Sequence, residues 1–126
     1  MENINIKRAI VAIMGALAVG IGAFGAHGLK PLLDFSQIET LKTATLYHFI
    51  HVLAMLVLVL YKNKDKAATQ SFFLFLGGII CFSGSLYIIS TRHLIGGDVW
   101  HFVGPITPVG GLLFIIGWLN LVRIKL

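Results

Sequence analysis

Residues 9–26 read AIVAIMGALAVGIGAFGA, and this run decides the architecture. It holds no charged side chain, and an apolar stretch of about 18 residues or more is long enough to cross a bilayer as an α-helix. Lys7 and Arg8 precede it. A basic start, an apolar stretch and then Ala23-Phe24-Gly25 also fit a secretory signal with its cleavage site; the run is read here as a retained span. Ala12, Ala16 and Gly20 form one small-residue ridge and Ala18, Gly22 and Ala26 another, spacings that let a neighbouring helix approach closely. The first helix is therefore expected to be the packing centre.

Working outward, the chain turns at Lys30-Pro31 and reaches Ser36-Gln37-Ile38-Glu39, which fits a Ser-x-x-Glu capping box and places a helix start near Gln37. From about Ala44 to Tyr61 that helix is free of charge but carries His48 and His51. A short charged run, Lys62 to Lys66, leads into a third apolar stretch with Gly77, Gly78 and Ser83-Gly84-Ser85. Its glycines are costly in a water-exposed helix but ordinary where membrane helices touch. A loop with Arg92, His93, Asp98, Trp100 and His101 precedes the last stretch, which begins near Pro105 or Pro108 and ends at Arg123 and Lys125. The expected fold is all-α: a four-transmembrane-helix bundle in one integral membrane domain covering 1–126, with helices at about 9–26, 44–61, 71–89 and 104–122.

Composition supports this. The chain is 57% hydrophobic and 12% charged, with a mean hydropathy of +0.90, whereas soluble domains carry roughly 25% charged residues. A net charge of +5 in a soluble chain would point to nucleic acid. Here the charges sit in short loops between apolar runs, so a nucleic-acid partner is not expected. The lone Cys81 lies in an apolar run and says nothing about redox compartment.

Short loops rich in Lys and Arg stay cytoplasmic. With four spans the N-terminus, the middle loop and the C-terminus share one side, holding Lys7, Arg8, Lys62, Lys64, Lys66, Arg123 and Lys125, against Lys30, Lys42 and Arg92 on the other. Both termini are therefore expected in the cytoplasm. Tyr61 and Trp118 then fall near the cytoplasmic boundary and Tyr87 and Trp100 near the outer one, as interfacial aromatics do.

The segments Gly22 to Leu29 (GAFGAHGL), Tyr47 with His51 to Ala54, Phe82 to Tyr87 (FSGSLY), and Ile106 to Gly111 (ITPVGG) with Gly117-Trp118 resemble, in this order, a family of small membrane proteins of unknown function that includes YgdD and YwdK. The resemblance implies four helices, a multi-pass location in the bacterial inner membrane, and no known activity, substrate or catalytic residue. Two positions depart from the family pattern, Leu41 where Trp is expected and His48 where Gln is expected, so a role that needs histidine at 48 is not implied for the family.

On this orientation His27, His48, His51, His93 and His101 all fall in the outer half. His48 and His51 share a helix face, with Ser83, Ser85 and Thr107 at a similar depth; polar groups inside a membrane usually face the bundle interior. Thr107-Pro108 reads as an N-cap followed by Pro at the first helical position. Free N–H groups at Val109, Gly110 and Gly111 would then form a small anion-seeking pocket beside the histidines. A start at Pro105 is the competing reading. The candidate ligand-binding residues are His27, His48, His51, Ser83, Ser85, Thr107, Gly110 and Gly111.

The bland alternative is that buried His and Ser hold helices in register through backbone carbonyls. No residue is assigned a catalytic role, and no metal or cofactor is expected, because no carboxylate or thiolate accompanies the histidines. The chain has no phosphate loop, no Cys-x-x-Cys and no nucleophile elbow. The sequence thus points to a non-enzymatic module that binds a small polar ligand, a lipid headgroup or a partner helix at its outer end. The rivals are a histidine-ligated metal or haem redox protein and a structural helper of a larger membrane complex. Expected partners are membrane lipids, with a membrane protein or a second copy beside them; a transporter would need oligomerisation to make room for a pathway.

Overall fold

The computed structural model describes residues 2–61, 65–96 and 99–125, and every regular element in them is helical. Lys62 and Lys64 of the orientation argument, and the side chain of Trp100, lie outside the described residues. Helix α1 (Glu2–Phe24) passes through a π-helical turn, Gly25–Leu29, into a 3-10 turn, Lys30–Leu32, and α2 covers Phe35–Leu60. Helix α3 (Lys66–Gly78) continues through a second π-helical turn, Ile79–Ser83, into α4 (Gly84–Ser90). Two short helices, α5 (Arg92–Ile95) and α6 (Val99–Val103), lead to α7 (Ile106–Asn120), which closes in a 3-10 turn, Leu121–Arg123. Taken as continuous rods, four of these are long and apolar enough to cross a membrane: Asn3–Leu32, Phe35–Leu60, Lys66–Ser90 and His101–Arg123.

The helix starts are set by carboxylates. Asp34, in extended conformation, caps α2: Gln37 N–H donates to Asp34 Oδ1 at 2.8 Å and Asp34 N–H donates to Gln37 Oε1 at 2.9 Å. The capping box is therefore Asp34 with Gln37 and not Ser36 with Glu39, and the helix begins at Phe35. Glu39 instead pairs with Lys42 at 2.8 Å, one turn inside the helix. Asp65 caps α3 by accepting from Ala67 and Ala68 N–H and also receives the N–H of Lys125. These donors, the Lys125 N–H foremost, hold its carboxyl below the usual carboxylate range.

Consecutive spans run antiparallel. Gly22 faces Thr45 and Gly25 faces Leu41 across the first pair, while Gly78 faces Phe114 and Gly117 faces Phe75 across the last. The bundle accordingly has a Pro31 end and an Asp65 end. At the Asp65 end, Asn120 donates to the Ala67 carbonyl and Ser71 Oγ, and Ser71 donates to the Gly117 carbonyl. Lys7 reaches in from α1, bonded to Thr69 at 2.9 Å with its ammonium over the Phe72 and Phe73 rings.

The packing centre is not the first helix. The core is Val52, Met55 and Val59 of α2, Phe72, Phe75 and Ile79 of the third span, and Phe114 of α7, with Val11 at its margin. Helix α1 lies at the periphery and packs chiefly along α2. It does so through Val11, Gly15, Ala18, Gly22 and Gly25, whereas Ala12, Ala16 and Gly20 face outward, and a side chain added at Gly20 would meet nothing within 4 Å. Gly25, buried, takes the place in the seam expected of Ala26, which is exposed.

The closest helix crossing lies elsewhere. A Cβ built on Gly110 would sit 2.2 Å from the backbone nitrogen of Phe82, so α7 touches the π-helical turn backbone to backbone. The last helix starts at Ile106 with Pro105 in the cap position, which corrects the start at Pro108. Pro108 instead occupies the first turn, where a missing N–H leaves no bond unmade.

Candidate functional site

The residues singled out from sequence fall into three separate places. Ser83 is fully buried and donates to the Ala44 carbonyl of α2 at 2.8 Å. Ser85 donates its single proton to the Phe82 carbonyl at 2.8 Å, so the 2.5 Å contact between Ser85 and Thr107 has Thr107 as donor. Thr107 is thus a cross-helix tie and not an N-cap. Because α7 is already helical from Ile106, the N–H groups of Gly110 and Gly111 lie within it, and Gly110 is covered by Phe82. The anion pocket expected there does not form.

His51 is locked. A carbonyl can only accept, so the 2.6 Å contact with the Tyr47 carbonyl puts the proton on Nδ1, and Nε2 accepts from the Trp118 indole N–H at 2.9 Å. The ring stacks on Phe114, centroids 3.6 Å apart and planes 10° from parallel, with Phe75 and Tyr47 beside it. His51 stands nine residues from Leu60 and sixteen from Phe35. It therefore belongs to the Asp65 half, not to the half that holds His27. Trp118, expected as an interfacial anchor, spends its N–H on this bond.

His48 is 2% exposed and its Nδ1 lies 2.8 Å from the Tyr87 hydroxyl. Nε2 has no hydrogen bond of ordinary geometry among the described residues, although the Met14 carbonyl of α1 acts on the ring. His27 is exposed in the first π-helical turn. The helix register sets it beyond Leu41, ten residues or about 15 Å along α2 from His51. His93 bridges two elements at the Pro31 end, donating Nε2–H to the Leu32 carbonyl at 2.9 Å and accepting at Nδ1 from Gln37 at 2.9 Å. The histidines do not converge, and among the described residues no three His, Cys, Asp or Glu side chains are grouped to hold a metal.

Concave surface among the described residues lies outside the bundle core, one hollow of about 420 Å³ being lined by Phe35, Ser36, Glu39, Thr40, Thr43 and Leu86. A groove of about 400 Å³ runs between the first span and α2 toward the Pro31 end, floored by Gly22, Gly25, Leu41 and Thr45, with Lys30 and Lys42 among its walls. That volume falls within the ~300–1,000 Å³ of small-molecule sites. The glycines leave the backbone bare, and the Thr45 hydroxyl donates to the Leu41 carbonyl at 2.9 Å. Sequence reading missed this groove because it weighed Lys30 and Lys42 only as orientation charges. The signal was Gly22 and Gly25 at the end of the first span, followed by Lys30 and Lys42.

Comparison with known proteins places the chain in context. The family described as "Protein of unknown function (DUF423)" matches residues 21–111. The UPF0382 membrane protein YwdK of Bacillus subtilis is 39% identical over 114 residues, 88% of each chain. A UPF0382 membrane protein of Staphylococcus epidermidis is 42% identical over 122 residues, 90% of this chain and 92% of its own. The UPF0382 inner membrane protein YgdD of Escherichia coli is 38% identical over 110 residues, 85% of this chain and 79% of its own. No solved structure matches.

Proposed function

The chain belongs to the DUF423, or UPF0382, family of membrane proteins, and we propose that it is a non-enzymatic module that takes an amphiphilic ligand in the groove between its first two spans. Both termini are cytoplasmic on this reading, so the groove opens toward the outer leaflet of the bacterial inner membrane. The charge bias of the short loops supports the orientation.

One observation carries the functional reading: His51 and the buried serines are committed to neighbours, while the groove between the first two spans is open. His51 has no lone pair left for a metal, haem iron or substrate, because Nε2 already accepts and Nδ1 already donates. Ser83, Ser85 and Thr107 are likewise engaged between helices. This favours the groove over the histidine-ligated redox alternative.

Native mass spectrometry of the full chain released from mild detergent tests the reading. One bound amphiphile per chain is expected, present in His51→Gln and lost in Ala26→Phe, which places a ring in the groove. An Ala26→Phe protein that keeps the same ligand occupancy as the parent would refute it.

A further inference from the structure

The groove has a polarity along its length, and that polarity identifies what fits. Lys42 and Lys30 line its Pro31 end, and Thr45, Leu46 and Phe49 line the deeper part. From Lys42 to Phe49 is seven residues of α2, or about 10 Å of rise. Along that length the lining is mostly apolar, with Gly22, Gly25, Ala26, Leu41, Leu46 and Phe49. An apolar lining of that length takes a flexible hydrocarbon chain.

The upper end has the complementary chemistry. Lys42 shares its charge with Glu39 in an exposed pair, while the Asp34 carboxylate accepts the α2 cap N–H. Lysines at span ends run their stems along apolar surface and carry their ammonium groups to the water boundary. A phosphate at that depth meets the Lys30 ammonium and the Lys42 ammonium, the latter shared with Glu39.

From this we infer that the occupant is an anionic phospholipid, its phosphate between Lys30 and Lys42 and one acyl chain along Gly22, Gly25 and Thr45. The inference rests on the groove reading above and specifies its ligand.

The test uses the full chain in a neutral detergent, titrated with phosphatidylglycerol, phosphatidylethanolamine or inorganic phosphate and followed by native mass spectrometry and thermal melting. Phosphatidylglycerol should bind one per chain and raise the melting temperature more than phosphatidylethanolamine does. Lys30→Gln and Lys42→Gln should each weaken that binding about fivefold, the value of one lysine near an anionic lipid, and the pair about thirtyfold. Lys30→Arg should restore it.

Equal binding of the two lipids, unmoved by either lysine variant, overturns the phosphate assignment; if Ala26→Phe still expels lipid, the groove reading survives alone. Stabilisation by inorganic phosphate equal to that by phosphatidylglycerol overturns it in favour of a free anion. A dimer that Ala26→Phe dissociates overturns it in favour of a second copy.

Discussion

Replacing Gly110 by alanine should be the most damaging small change in the molecule. The added Cβ would lie 2.2 Å from the Phe82 nitrogen and 2.7 Å from its Cα and Cβ, where non-bonded carbon atoms normally keep about 3.5–4.0 Å. The obstacle is backbone on a π-helical turn, so no rotamer change relieves it and the two spans must part by about 1 Å. That separation also strains the neighbouring contacts on the same seam, Phe114 over Gly78 and Phe75 over Gly117, and the tie between Ser85 and Thr107. Overpacking of this kind costs about 1–3 kcal/mol and a weakened interhelical hydrogen bond about 0.6 kcal/mol. The better helix propensity of alanine returns about 1 kcal/mol. A net loss of roughly 0.6–2.6 kcal/mol is expected. Gly20→Ala is the control, because its Cβ meets nothing within 4 Å, and it should be neutral or slightly stabilising. Reversible unfolding in mixed micelles measures both. If Gly110→Ala and Gly20→Ala unfold at the same denaturant concentration, the backbone crossing is not what holds these spans together.

Trp118→Phe should lower stability by about 1–2 kcal/mol in the same assay by leaving His51 Nε2 unpaired, and adding His51→Phe should recover part of the loss; equal stability of Trp118→Phe and wild type would sink the assigned bond. Asp65 has a folded pKa lowered by the N–H groups of Lys125, Ala68 and Ala67, so its contribution is present above the unfolded value of about 3.9 and lost as pH falls through the lower folded value. Melting curves of wild type and Asp65→Asn should therefore converge below about pH 4, and a constant gap across that range would contradict the cap. In a Cys81→Ser background, Lys66→Cys and Leu94→Cys should react with an impermeant thiol reagent from opposite sides of the membrane; labelling from one side refutes the four-span orientation.

The spans were legible because lipid imposes a length and a polarity that few sequences satisfy by chance. Which face of each span packs was not legible. In water, the buried face of a helix is the apolar one; in lipid both faces are apolar, and Ala12-Ala16-Gly20 reads as good a ridge as Val11-Gly15-Ala18-Gly22. Only the neighbour distinguishes them. The cap failed for a related reason: Asp34 with Gln37 and Ser36 with Glu39 are both well-formed boxes two residues apart, and the one that closed has the carboxylate as acceptor. Trp118 and His51, 67 residues apart in the chain, meet only once the order and register of the antiparallel spans are known.

His48 shows what the core asks of its polar residues. Its Nδ1 lies against the Tyr87 hydroxyl, which can donate or accept, and the Met14 carbonyl of α1, which only accepts, acts on the ring. A neutral imidazole offers such a position one donor and one acceptor; a glutamine amide offers its NH₂ and its oxygen. The glutamine expected at this position from the family pattern is then chemically equivalent to His48, and neither requires a titrating group. The other buried polar residues follow the same rule, each bonded to a neighbouring helix or to its own backbone. In the absence of a hydrophobic drive between helices, such bonds together with glycine-mediated backbone contact are what fix the packing. Side chains committed in this way are poor candidates for chemistry, which moves the search for function to the apolar groove lined by Lys30 and Lys42.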